Sequence, residues 1–538
     1  MKPTPPVPNW LNTATFYEIY PQSFLDTNGD GIGDLPGIIS KLDYISSLGA
    51  NALWLNPVFE SPFGDAGYDV SDFRKVAPRY GTNADLKRLF KEAHKRGMRV
   101  VLDLVAGHTS VEHPWFKASR KHQQNPYTDY YTWTPNVWTD GGPGRWINGA
   151  GPRDGNYLAN FFWFQPALNY GYAKPDPARP WEQPVDAPAP RAMRAELEAI
   201  MRFWLDAGCD GFRVDMAASL VKGPPDSPEL RALWQEFRGW MERDYSHAVL
   251  ISEWSNPKQA LSAGFHIDFM IHFGEPAYNA LLGTWGEVKG DARDPHVFFE
   301  RAGGGDILGF TENYLEHYEA TKNQGFIALP TGNHDYPRLS RGRTEAELRG
   351  VHAMLLTMPG VPFIYYGDEI GMNYLEDLEA KEGSYANRTG TRTPMQWTSG
   401  RNKGFSSAPA SKLYLPVDPS STAPDVASQI DDPASHLQFI RDLLTLRHKH
   451  PALGNLGGFR VLYAKKKAYP FAYERSAEGE QFVIVLNPRA SSARSTALDL
   501  PADASYEPVF ETGIKLARQR GRWVADAPAI TWGIFRRV

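Results

Sequence analysis

The chain has almost no cysteine and no long apolar run. Its single thiol, Cys209, has no partner within the 538 residues, so an intramolecular disulfide is excluded and nothing ties the fold to an oxidising compartment. The opening MKPTPPVPNW carries no apolar leader core, and nowhere does a run reach the about 18 apolar residues of a membrane-spanning helix. An excess of one charge is missing too. Lys and Arg number 57 against 62 Asp and Glu, a formal net charge of −5, scattered rather than clustered. That balance leaves no footprint for nucleic acid or an anionic membrane. The expectation is a soluble, cytoplasmic protein with small, neutral partners. Aromatics are plentiful: 13% of residues, including 16 Trp and 25 Tyr, whose flat amphipathic faces suit core packing and sugar rings alike.

A chain of 538 residues exceeds one ordinary core, although an α/β barrel of roughly 250 residues or more is a routine single domain. From residue 15, short apolar stretches alternate with amphipathic ones, the pattern of a parallel sheet with crossover helices. Strands are predicted at 16–24, 52–58, 99–105, 211–217, 248–254, 265–273, 326–333 and 361–369, and helices at 37–49, 84–97, 191–208, 228–243 and 344–360. Eight such strands fit a (β/α)8 TIM barrel. Periodicity fails over 109–188, an irregular stretch long enough to be a subdomain inserted after the third strand. A second polar stretch, 370–434, precedes a helix at 435–450, and from 455 onward short strands point to a C-terminal antiparallel β-sandwich. The predicted organisation is a barrel from 1–108 and 189–454, an insert at 109–188 and a β domain at 455–538.

In such a barrel, chemistry sits at the C-terminal ends of the strands, where Asp103, Asp215, Glu253 and Asp335 fall. One buried acid can be a structural ion pair. Four like charges in one mouth are costly unless used. Glycoside hydrolysis calls for one carboxylate to attack the anomeric carbon and one carboxylic acid to protonate the leaving oxygen. Arg213, two residues before Asp215, points to the same side of its strand and can keep that carboxylate ionised.

DLVAGH (103–108), GFRVDMA (211–217), ISEW (251–254) and GNHD (332–335) resemble, in order and spacing, the four signature segments of the α-amylase superfamily, glycoside hydrolase family 13. The resemblance implies Asp215 as nucleophile, Glu253 as general acid/base and Asp335 as transition-state stabiliser, with His108 and His334 binding the sugar. Within the superfamily the chain looks most like the oligo-1,6-glucosidase and α-glucosidase branch. DAGYD (65–69) and TRTPMQW (391–397) match that branch, implying a stacking Tyr68 and an Asp65–Arg392 pair that closes an exo-acting pocket. DTNGDGIGD (26–34) is similar to the branch's calcium loop, which implies structural Ca²⁺ on Asp26, Asn28, Asp30, the Ile32 carbonyl and Asp34. Three positions depart from the pattern. Gly107 stands where the family has asparagine, Ala167 where the branch has aspartate, and Met216 where it has valine for α-1,6 or alanine for α-1,4 linkages. The resemblance implies a retaining exo-α-glucosidase acting on short α-glucosides; a transglucosidase or glucoside isomerase would use the same intermediate.

Overall fold

The parallel sheet is assembled from short strands that are buried on both faces, so they read as apolar runs rather than as alternation. They are β1 Phe16–Ile19, β2 Ala52–Leu55, β3 Arg99–Leu104, β4 Gly211–Val214, β5 Val249–Ser252, β6 Ile267–Phe269, β7 Phe326–Ala328 and β8 Phe363–Tyr365. The computed structural model describes residues 7–149, 151–283, 296–383 and 388–538, so the first residues of the proline-rich opening lie outside it. The hydrogen-bonded order is β7-β6-β5-β4-β3-β2-β1-β8. Between β7 and β8 the circuit is completed by Thr331, whose N–H donates to the Phe363 carbonyl (2.9 Å) and whose hydroxyl accepts from the Tyr365 N–H (3.1 Å). The result is a nearly closed eight-stranded barrel, in line with the sequence-based expectation.

Side chains fill the barrel's interior. Phe16 and Phe363 stack with centroids 4.4 Å apart, and Trp54, Val101, Ile251 and Phe269 complete a cluster separate from the larger strand-to-helix core. Gly211 opens β4 at φ +143°, where an added Cβ would lie 2.3 Å from the Val249 carbonyl oxygen. Only glycine lets β4 and β5 approach that closely, and their approach brings Asp215 and Glu253 together.

Every strand is shorter than predicted, because the residues after each strand turn into the mouth instead of continuing the ladder. The helix expected at 37–49 is two helices, Leu35–Ser40 and Leu42–Ser47, broken at Lys41. The helix at 84–97 is Asn83–Lys95, entered through a capping box between Thr82 and Asp85. A helix at Leu308–Thr321 was not anticipated; its buried face is Phe310, Thr311, Tyr314, His317 and Thr321, too polar to read as an apolar stripe. The insert contains a helix, Pro114–Ser119, and an antiparallel pair, Arg145–Ile147 with Tyr157–Ala159.

Beyond the helix His436–Lys449, a five-stranded antiparallel sheet begins at Gly458 and a three-stranded one lies over it, with Val483, Val485, Trp523 and Phe535 between them. A buried arginine of this domain, Arg475, fastens it to the barrel by donating to the Thr357, Gly454 and Gly458 carbonyls. On the preceding helix, Arg447 donates to the Leu356, Met358 and Gly360 carbonyls and holds that helix to the barrel.

Candidate active site

Asp215 and Glu253 each stand one residue beyond the C-terminal end of a strand, β4 and β5, so the polarity of the sheet alone delivers both to one mouth. Arg213, on β4, joins them. Its Nη1 lies 3.1 Å from Asp215 Oδ1 and 3.1 Å from Asp103 Oδ1, and its Nη2 lies 3.0 Å from Glu253 Oε2. The guanidinium is buried against Trp54, 5.0 Å from the ring centroid, so it cannot relax into water. The expected pairing of Arg213 with Asp215 is present, but the three carboxylates occupy the fork.

Burial pushes Asp215 up to about 7 and Glu253 up to about 8, with Arg213 opposing both shifts. Asp103, also raised by burial, reaches about 6. Asp335 goes the other way. Burial alone would raise it, but Arg388 and Arg392 hold it well below the ordinary carboxylate range. Arg392 Nη2 donates to its Oδ1 (2.8 Å), and Arg388 lies 3.2 Å from the same oxygen. The set is thus divided by environment: Glu253 keeps its proton longest, Asp335 is fully ionised, and Asp215 lies between.

Under the pair runs a chain of buried hydrogen bonds. Tyr68 donates to Asp103 Oδ2 (3.0 Å) and meets His334 Nε2 at 2.8 Å, while His334 Nδ1 lies 2.9 Å from Glu18 Oε1. Burial keeps His334 neutral and raises Glu18 well above its ordinary value. One proton assignment satisfies all of this: protonated Glu18 donates to Nδ1, Nε2–H donates to the Tyr68 oxygen, and Tyr68 donates to Asp103. His108 is neutral too, its value lowered to about 4 by burial, and both ring nitrogens meet protein groups: Nε2 the Tyr68 carbonyl (3.0 Å) and Nδ1 the Asn160 amide (3.1 Å).

Asp65 and Arg392, predicted as a pair, attract one another, but each makes its hydrogen bonds elsewhere. Asp65 accepts from Gln165 Nε2 (2.8 Å) and Arg392 turns to Asp335 and the His334 carbonyl, because the ionised Asp335 is the stronger draw on the guanidinium. Asp65 is buried and pushed up to about 7. Sequence reasoning missed Glu18, Gln165, Arg388 and Asn160. Arg388 stands three residues before the matched segment 391–397 and Gln165 two before Ala167, whereas Glu18 and Asn160 carried no local signal.

The α-amylase catalytic-domain family model matches residues 18–455. The chain belongs to the α-amylase family, glycoside hydrolase family 13. Among its relatives is an oligo-1,6-glucosidase of Parageobacillus thermoglucosidasius, 31% identical over 93% of each chain. Another is the trehalose synthase/amylase TreS of Mycolicibacterium smegmatis, 32% identical over 94% of this chain and 88% of that one. The crystal structure of the trehalulose synthase MutB from Pseudomonas mesoacidophila MX-45 superposes with a TM-score of 0.81 at 29% identity, covering 98% and 99% of the two chains. As a family 13 member, the protein is an enzyme acting on α-glucosides.

The loop at residues 26–34 turns at Gly31, φ +96°. Its oxygens are taken up internally. Asp26 accepts the N–H groups of Asn28, Gly29 and Gly31 and the Ser406 hydroxyl, and Asp34 caps a helix through the Gly37 N–H and binds Thr27. Asn28 and Asp30 accept from the backbone two residues on. Among the described residues no three His, Cys, Asp or Glu side chains converge as a metal site would require. None of the helices described is long and apolar enough to cross a membrane.

Proposed function

We propose that the enzyme is a retaining, exo-acting α-glucosidase that hydrolyses short α-glucosides. The observation that carries this reading is the single guanidinium shared by Asp215 and Glu253 while Glu253 holds its proton to about 8. In the first step an Asp215 oxygen attacks the anomeric carbon as the glycosidic bond breaks, and Glu253 gives its proton to the departing oxygen. In the second, Glu253 takes a proton from water, whose oxygen displaces Asp215 and restores the original configuration. Asp335, ionised throughout, faces the positive charge that develops on the ring. Asp65, which the resemblance puts at the closed end of an exo-acting pocket, is buried and bonded to Gln165, in keeping with the exo reading.

A second reading is favoured by the likeness to TreS and MutB: a sugar hydroxyl replaces water and the product is a new glucoside. Maltose, isomaltose, sucrose and trehalose, each followed by resolved product analysis, separate the two. Release of free glucose as the main product supports hydrolysis, and a dominant new disaccharide refutes it. Structural calcium on residues 26–34 is a separate proposal carried by residue types alone. Chelation should lower Tm and added Ca²⁺ restore it; an unchanged Tm in both arms removes calcium from the account.

A further inference from the structure

The 160–165 turn of the insert bonds to itself, the Asn160 N–H donating to the Gln165 carbonyl (2.9 Å), and sends a side-chain amide each way. Gln165 goes to Asp65. The Asn160 amide nitrogen goes to the other side, 3.1 Å from His108 Nδ1, 3.3 Å from Ser219 Oγ and 3.8 Å from the Met216 sulfur. Met216 directly follows the nucleophile and holds a left-handed backbone (φ 44°, ψ 44°), unfavourable for a side chain of its kind. That conformation aims its N–H at Glu253 Oε2, 2.9 Å away. Asn160 therefore braces the residue whose backbone binds the general acid. It has room to do so because residue 107 is glycine: a Cβ there would sit 2.8 Å from the Asn160 amide nitrogen and 3.0 Å from Ser219 Oγ. The insert is seated at this point by the Leu168 N–H on the Gly107 carbonyl (3.0 Å).

We infer that Asn160 is a positioning residue of this active site, lodged in the space left by Gly107 and holding Met216 and His108 so that the Met216 N–H stays on Glu253. The inference rests on the reading of Asp215 and Glu253 as nucleophile and acid/base. Its consequence is energetic coupling between residues 107 and 160: Gly107→Ala should harm the enzyme chiefly by displacing the Asn160 amide, the nearer group, and so should do little further harm once that amide is gone and the Ser219 hydroxyl is free to turn aside. The test is a double-mutant cycle of Asn160→Ala, Gly107→Ala and both together, assayed on the substrate that the wild type turns over fastest. Each single change should lower kcat about tenfold with KM altered less than about twofold, and the double variant should match Asn160→Ala. An unchanged kcat in Asn160→Ala, or losses that multiply in the double variant, overturns the inference. If Gly107→Ala alone does not fold, the double variant decides, since the colliding amide is absent; it should show the circular dichroism and Tm of Asn160→Ala, and its failure to fold also overturns the inference. Failure of the underlying reading looks different: a wild type inactive on every α-glucoside, or an Asp215→Ala variant that still turns over.

Discussion

At the scale of single residues, the site is governed by one guanidinium. Three carboxyl groups in a largely water-free mouth would repel one another upward in pKa, and Arg213 limits that rise for Asp103, Asp215 and Glu253 alike. Lysine carries the same charge but no fork, so it cannot hold Nη1 and Nη2 partners at once. Arg213→Lys should lower kcat/KM by about a hundredfold and move the acidic limb of its pH profile upward, because Asp215 must lose its proton before it can attack. A normal profile with normal kcat/KM would show that the bridge is dispensable. Glu253 should set the opposite limb. In the proposed mechanism it acts first as an acid, so activity should be lost as pH rises through about 8. Glu253→Gln should cost roughly 10³-fold and abolish that limb. An alkaline limb that survives the substitution belongs to another group.

At the scale of elements, legibility depends on whether a residue's role follows from its own segment. Asp103, Asp215 and Glu253 were readable because each closes an apolar strand, and strand polarity sends all three to one end. The helix Asn83–Lys95 was readable from its stripe and its Thr82 cap. Glu18 was not, since within β1 it looks like an interruption of an apolar run; nor was Asn160, whose partners lie 52 and 56 residues away. Asp65 and Arg392 attract one another without a direct hydrogen bond, because a resemblance supplies partners without the competing charge, here Asp335, that takes one of them. Local and long-range devices also differ in energetic scale. Thr82→Ala removes one cap and should cost about 1 kcal/mol in urea unfolding. Arg447→Met removes the donor to three buried carbonyls and should cost about 3 kcal/mol or more. Equal losses would mean that the carbonyls find other donors and that Arg447 does not hold the helix His436–Lys449 to the barrel.

At the scale of the whole molecule, the buried ionisable groups make stability depend on pH in a direction that can be worked out. Asp65, Asp215, Asp268 and Glu369 are raised by burial to about 7, and Glu253 to about 8. Each holds a proton in the folded chain at pH values where the unfolded chain, titrating near 4, has lost it. The native state therefore binds more protons from about pH 4 to the folded values, and stability falls as pH rises across that interval. Buried histidines oppose this at the acidic end. His108 and His272 are lowered to about 4 and His113 and His352 to about 3, so below about pH 6.5 they cost stability as the unfolded chain gains their protons. Above about pH 7 the unfolded histidines keep only a minor share of their protons, and the carboxyls outweigh them. Between about pH 7 and 8, Tm should therefore fall as pH rises, and Asp268→Asn, which removes one raised carboxyl, should make the fall shallower. Calorimetric scans at closely spaced pH values measure both. A Tm that rises across the interval would mean that these carboxyls are ionised in the folded protein, and with them would go the account of Glu253 as an acid that still holds its proton at neutral pH.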